Sequence, residues 1–135
     1  MLSSFLIFLK LSVIQVAIGR REKFSVYRSD YKTRDGTGDR DYVHVVDLAE
    51  GHVKAVNHIL GDNVSGTHIF NLGTGKGATV LEVIKAFSDA CGKEIPHELV
   101  GRRKGDVDSL YASCAKAEKV NESLLHFTQL LIMCD

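Results

Sequence analysis

The sequence predicts an α/β fold with too few strands for a self-sufficient doubly wound sheet. Three observations carry this. Short β-branched and aromatic runs alternate with segments of helical period. Turn-rich and glycine-rich stretches separate them. The 135 residues give one domain, able to bury about two-thirds of its unfolded surface, and do not comfortably hold two.

The elements follow in order. Residues 1–19, MLSSFLIFLKLSVIQVAIG, are apolar with Lys10 inside the run. A secretory signal places its charge before the apolar stretch. A membrane span would carry Lys10 near its centre, at about 2.5–3.5 kcal/mol. The segment therefore reads as a helix that packs against protein, with a signal or an anchor as the alternatives. Phe24–Tyr27 reads as a short strand, followed by the turn-rich loop Lys32–Asp39. Tyr42–Val46 is β-branched and aromatic, predicting a second strand or extended segment. From Asp47 the period changes: Leu48, His52, Ala55, Val56, Ile59 and Leu60 fall on one helical face, and Gly61-Asp62-Asn63 ends it. Thr67–Leu72 predicts a third strand. Thr79-Val80-Leu81-Glu82 has the form of a capping box. Val80, Val83, Ile84, Phe87 and Cys91 line the face of the helix it opens, and Gly92 closes that helix. Pro96 introduces an extended stretch through Val100.

Composition excludes several function classes. Seventeen basic residues balance seventeen acidic ones, so no global field attracts nucleic acid or an anionic membrane. Cys91, Cys114 and Cys134 form no CxxC and no even set, which points to a reducing, cytoplasmic setting. The six histidines have no metal-ligand spacing. There is no GxSxG elbow, and no tyrosine has a lysine four residues on.

Two stretches could meet an anion. Gly73-x-Gly75-x-Gly77 lies between an expected strand and an expected helix, where free amides can bind phosphate. Its spacing is that of neither GxGxxG nor a P-loop, and steric need alone accounts for such turns. Arg102-Arg103-Lys104 reads by itself as a solvated basic loop. With Asp106 beside it, a guanidinium could clamp a pyrophosphate while the carboxylate accepts from ribose hydroxyls.

Taken together, Val16–Glu22 (VAIGRRE), residues 35–52 (DGTGDRDYVHVVDLAEGH), 71–87 (NLGTGKGATVLEVIKAF) and 101–106 (GRRKGD) resemble the UDP-glucose 4-epimerase family. That family is part of the extended short-chain dehydrogenase/reductase group, with an NAD(P)-binding Rossmann-type fold. The likeness runs from about residue 15 to 119. It leaves 1–14 as a divergent apolar N-terminal segment and 120–135 as a divergent tail. It implies the C-terminal, UDP-sugar-binding portion of the fold, without the N-terminal dinucleotide-binding half.

By that resemblance, Arg40 and Arg103 hold the pyrophosphate of UDP-glucose or UDP-galactose, and Asp106 the uridine ribose. Ser25, Val26 and Tyr27 lie along the uracil. Leu110 stands where relatives have a tyrosine or a pocket-widening cysteine, so acceptance of N-acetylated sugars stays open. Arg28 replaces a glycine in the turn after Tyr27. The family's cofactor is NAD, and its glycine-rich loop, catalytic serine or threonine and Tyr-x-x-x-Lys pair all belong to the N-terminal part. The family is homodimeric, which leaves the state of this chain open. The expectation is a chain that keeps nucleotide-sugar binding for galactose metabolism, lacks activity alone, and exposes the apolar faces that would cover the other half. A non-catalytic UDP-sugar-binding or interaction module, and a fragment of a related nucleotide-sugar dehydratase, are the alternatives.

Overall fold

The first helix is apolar around most of its circumference, with Leu11 and Ile14 left exposed. α1 spans Ser3–Ala17, and Leu9, Val13, Val16 and Ala17 are buried along a single stripe. Its C-terminus ends at Gly19 in the left-handed region, φ 75°, and Lys93 Nζ donates to the Ala17 carbonyl, a cation on the negative end of the helix. The computed structural model describes residues 3–27, 30–61, 64–101 and 105–120. They fall into two compact units: residues up to Arg40 together with Ala78–Leu110, and Asp41–Gly77 together with the residues from Tyr111 onward. Among the described residues no helix is long and apolar enough to cross a membrane.

In the first unit, β1 (Phe24–Tyr27) pairs in parallel with β4 (His97–Val100). Phe24 and Val26 point inward, whereas Ser25 and Tyr27 are half-buried on the other face. A second, three-stranded sheet has β2 (Asp39–Arg40) at its centre, antiparallel to β3 (Ala78–Thr79) and parallel to β5 (Ser109–Leu110). α3 (Val80–Cys91) buries Val83, Ile84 and Phe87, and Ile95 lies buried beyond its end. The capping box is as expected: Thr79 Oγ1 accepts from the Glu82 amide at 3.3 Å, and Glu82 Oε2 from the Thr79 amide at 2.8 Å. Gly92 closes the helix at φ 64°.

The loop before β2 is bound to this helix start. Asp35 accepts from the Thr37 amide and hydroxyl at 2.8 and 2.7 Å and from the Thr79 hydroxyl. Arg34 grips Glu82 with two hydrogen bonds, at 3.0 and 2.7 Å, and reaches Asp39 at 3.3 Å. The turn-rich loop is thus a structured clasp rather than a free connection.

The second unit departs from expectation at two places. Val45 and Val46 belong to α2 (Val45–Ile59) instead of a strand, because His44 Nδ1 accepts from the Val46 amide at 3.2 Å and caps the helix early. The residues predicted as a third strand, Thr67–Leu72, form none. They run irregularly, with the rings of His68 and Phe70 packed against His58 at centroid distances of 5.4 and 5.9 Å. The unit is completed by α4 (Ala115–Val120). Arg28 and the stop residues Asp62 and Asn63 lie outside the described residues, as does the tail from residue 121.

α2 is apolar on two sides. Gly51 is buried because a Cβ there would come within 2.7 Å of Leu72 Cδ1. On the outer side, Val45, Val46, Val53, Val56, Ile59 and Leu60 are all more than half exposed, Leu60 by 78%. A groove of about 440 Å³ follows it, lined by Val45, Val46, Ala49, Glu50, Val53 and Lys54. Exposed apolar area of this kind drives association. Replacing Val53 and Val56 together by lysine is expected to reduce concentration-dependent association in analytical ultracentrifugation. The melting temperature should change little, since neither side chain is buried.

Glu82 gives the fold a defined acid response. The Arg34 guanidinium, together with the Thr79 amide, lowers its pKa from 4.5 to about 2. A carboxylate depressed in the folded state stabilises it above the ordinary value and loses that contribution as pH falls towards the lowered one. Stability should therefore decline as pH drops from about 4.5 to 2. In Glu82→Gln that part of a urea-midpoint against pH profile should be flatter.

Candidate functional site

Arg40 sits in the central strand of the three-stranded sheet, in register with Leu110 of β5. Its Nη1 donates to the carbonyls of Asp39 at 2.8 Å and Asp108 at 3.2 Å. Its Nη2 donates to the Val107 carbonyl at 2.7 Å and to Asp106 Oδ1. Four donors thus meet four acceptors, three of them from consecutive residues 106–108. The Asp39 amide donates back to the Asp108 carbonyl at 2.9 Å. The segment before β5 is wrapped around one guanidinium.

Asp106 is held at both oxygens. Arg40 engages Oδ1, and the Tyr31 hydroxyl donates to Oδ2 at 2.9 Å. The side chains of Arg40 and Asp106 remain 17% and 27% exposed, whereas Tyr31 is buried. Leu110, 44% exposed, follows on the same strand edge.

The structure therefore gathers Arg40, Asp106 and Leu110 around one sheet. Ser25, Val26 and Tyr27 lie on the other sheet of the same unit. Val26 is fully buried, so only its backbone is available to a ligand, while Ser25 and Tyr27 are half-buried. Arg103 lies outside the described residues. Tyr31 is the member that motif reasoning missed. Its signal was an aromatic residue inside a polar, turn-rich loop, where a buried ring needs a partner for its hydroxyl.

The glycine-rich stretch does not offer an anion site. The Asp41 carboxylate already accepts from the Thr74 amide at 2.9 Å, the Thr74 hydroxyl at 2.6 Å, and the Gly75 and Ala112 amides at 3.2 Å each. The first amides of α3 are likewise taken, Val80 by the Gly38 carbonyl and Leu81 by Thr37 Oγ1. An internal carboxylate stands where a dinucleotide pyrophosphate would need to be. Gly73–Gly77 therefore does not fit a dinucleotide pyrophosphate and serves packing. Nearby, Cys114 Sγ donates to the Gly73 carbonyl at 3.2 Å. Burial, with Asp41 close by, raises that thiol's pKa and keeps it unreactive.

No family model matches the chain. It is 55% identical over 108 residues to UDP-glucose 4-epimerase 1 of Oryza sativa subsp. japonica, covering 79% of this chain and 30% of that protein. To the UDP-glucose 4-epimerase of Bacillus subtilis it is 53% identical over 107 residues, covering 79% and 31%. The chain belongs to the UDP-glucose 4-epimerase family. The crystal structure of the Bifidobacterium longum epimerase, in complex with NAD+ and UDP, superposes with a TM-score of 0.73 at 51% identity, over 79% of this chain and 31% of that one. The fold is thus about a third of a Rossmann-type short-chain dehydrogenase/reductase fold, and the chain spans about a third of the length of the relatives it matches.

The crowded Gly73 supplies a test of the packing around Asp41. A Cβ on Gly73 would collide with Asp41 Oδ2 and fall 2.6 Å from Ala112 Cβ, contacts that neither neighbour can relieve by rotating a long side chain. Gly73→Ala is expected to destabilise the chain by about 2 kcal/mol or more, read as a lower urea midpoint. It should also speed Cys114 alkylation.

Proposed function

We propose that this chain is the C-terminal, nucleotide-sugar-binding portion of a UDP-glucose 4-epimerase, binding UDP-glucose or UDP-galactose without interconverting them by itself. The observation that carries this reading is the contact between Arg40 and Asp106. They lie 66 residues apart in sequence, and they are the two described residues that the family resemblance assigns to the pyrophosphate and the ribose. A fixed guanidinium supplies charge for the diphosphate, and a fixed carboxylate supplies acceptors for a vicinal diol. Among the described residues the Arg40 Nη donors are all engaged by the chain. A phosphate would therefore meet Nε–H, or displace one carbonyl. Arg103 supplies the second guanidinium in this reading.

Ser25 and the Tyr27 ring would border the base, with Val26 contributing backbone only. Leu110 would border the sugar, next to Arg40 in the sheet. The hydride and proton transfers of epimerisation require NAD and a tyrosine–lysine pair, for which this chain has no matching residues. Its part is binding and orientation.

The test is a titration of the purified chain with UDP-glucose alongside an epimerase assay from which host enzyme is excluded. The reading predicts saturable binding and no turnover. Arg103→Ala should weaken binding about tenfold or more, as expected for loss of one charge-assisted contact. Arg40→Ala should weaken binding and also lower the melting temperature, because it releases residues 106–108. A flat titration up to millimolar UDP-glucose, or measurable interconversion, overturns the reading.

A further inference from the structure

We infer that the outer face of α2, with the neighbouring residues 67–72, is a docking surface for a polypeptide that carries the rest of the epimerase fold. This rests on the reading of the chain as one portion of such an enzyme, and not on its nucleotide binding. Val46, Ala49, Val53, Val56 and Leu60 recur at spacings of three and four residues, so they form one continuous seam along the helix. The four large side chains among them are more than half exposed, and Ala49 lines the groove beside them. On the opposite side, Gly51 is buried against Leu72. A helix with one side already packed and a regular apolar seam on the other is built to sit between two layers.

Three observations select the occupant. The chain spans 31% of the Bifidobacterium longum epimerase on which it superposes, so about two-thirds of that fold is available to supply the second layer. Residues 67–72 have strand composition, leave Ile69 73% exposed, and form no strand among the described residues. The edge of a sheet carried by the partner gives such a segment its hydrogen-bonding neighbour. His68 and Phe70 pack on His58 of α2, which holds this segment in the same unit as the seam. The charged residues of the groove are one acid and one base, Glu50 and Lys54. That mixed rim does not select an anionic lipid surface or a peptide of a single sign. A second copy repeats the seam and adds no further layer of the fold.

The test co-expresses the full chain with Bacillus subtilis epimerase truncated before the 107 residues that match it. Purification is carried out without UDP or UDP-sugar, so the outcome does not depend on nucleotide binding. A one-to-one complex is expected in analytical ultracentrifugation, with amide exchange across residues 45–60 slowed about tenfold or more relative to the isolated chain. Val53→Lys with Val56→Lys should weaken the complex about tenfold or more, because each ammonium group would be buried without a partner. Val53→Leu with Val56→Leu, which keeps the seam apolar, should still form it. Absence of the complex overturns the inference, as does a complex that the lysine pair leaves unchanged or that protects neither 45–60 nor 67–72. A stable homodimer that the truncated epimerase does not displace assigns the seam to a second copy and also overturns it. Loss of α2 in the lysine variant, seen by circular dichroism, assigns the seam to the chain's own folding and does the same. A complex formed by a chain that fails to bind UDP-glucose leaves this inference standing and removes the binding reading; binding without a complex does the reverse.

Discussion

Much of the proposed site depends on one guanidinium satisfying acceptors from two distant parts of the chain. Arg40 is fixed by its own strand through the Asp39 carbonyl, and it then collects Asp106, Val107 and Asp108 from the far side of the sequence. Bringing segments that far apart together costs loop-closure entropy. Charge-assisted bonds, individually stronger than neutral ones, offset it. The consequence is preorganisation. Groups that a ligand would otherwise have to order are already held, and this lowers the cost of binding. The same arrangement explains why a lysine could not replace Arg40: a point charge has no planar fork with which to reach four acceptors at once.

The structure also shows how carboxylates can occupy positions that motif reading would give to a phosphate. Asp41 fills the ring of donors in the glycine-rich stretch, and Glu82 completes the cap of α3. Both helix-start and glycine-loop amides are consumed internally, so the only described arginine–carboxylate pair with a solvent-facing side that matches the family's nucleotide residues is Arg40–Asp106. Asp41 stabilises the glycine-rich turn, while Arg40 before it holds the segment that leads into β5.

Much of the fold was legible in the sequence. β1, the capping box, the left-handed Gly92, and the extended run after Pro96 follow from local rules that tertiary context did not override. The errors lie where local signals compete. Val45 and Val46 favour strand by propensity, yet a cap from His44 placed them in a helix. Thr67–Leu72 has strand composition, but strands need a hydrogen-bonding neighbour, and ring packing with His58 took that segment instead. The α2 face named from its period holds Val56, Ile59 and Leu60 in solvent, because period reports amphipathicity and says nothing about which layer covers it. Of the proposed site, Arg40, Asp106 and Leu110 are named by the family resemblance. Tyr31 is not, since its role arises only from a contact across 75 positions of sequence.

The central claim is that Arg40 and Asp106 organise a nucleotide site on the first unit while the glycine-rich stretch does not. The most direct measurement is an amide chemical-shift map of the isotopically labelled chain on addition of UDP. The account predicts saturable shifts at Ser25–Tyr27, at Arg40 and across Asp106–Leu110, with Gly73–Gly77 unmoved. Shifts centred on Gly73–Gly77, or none that saturate, would contradict it.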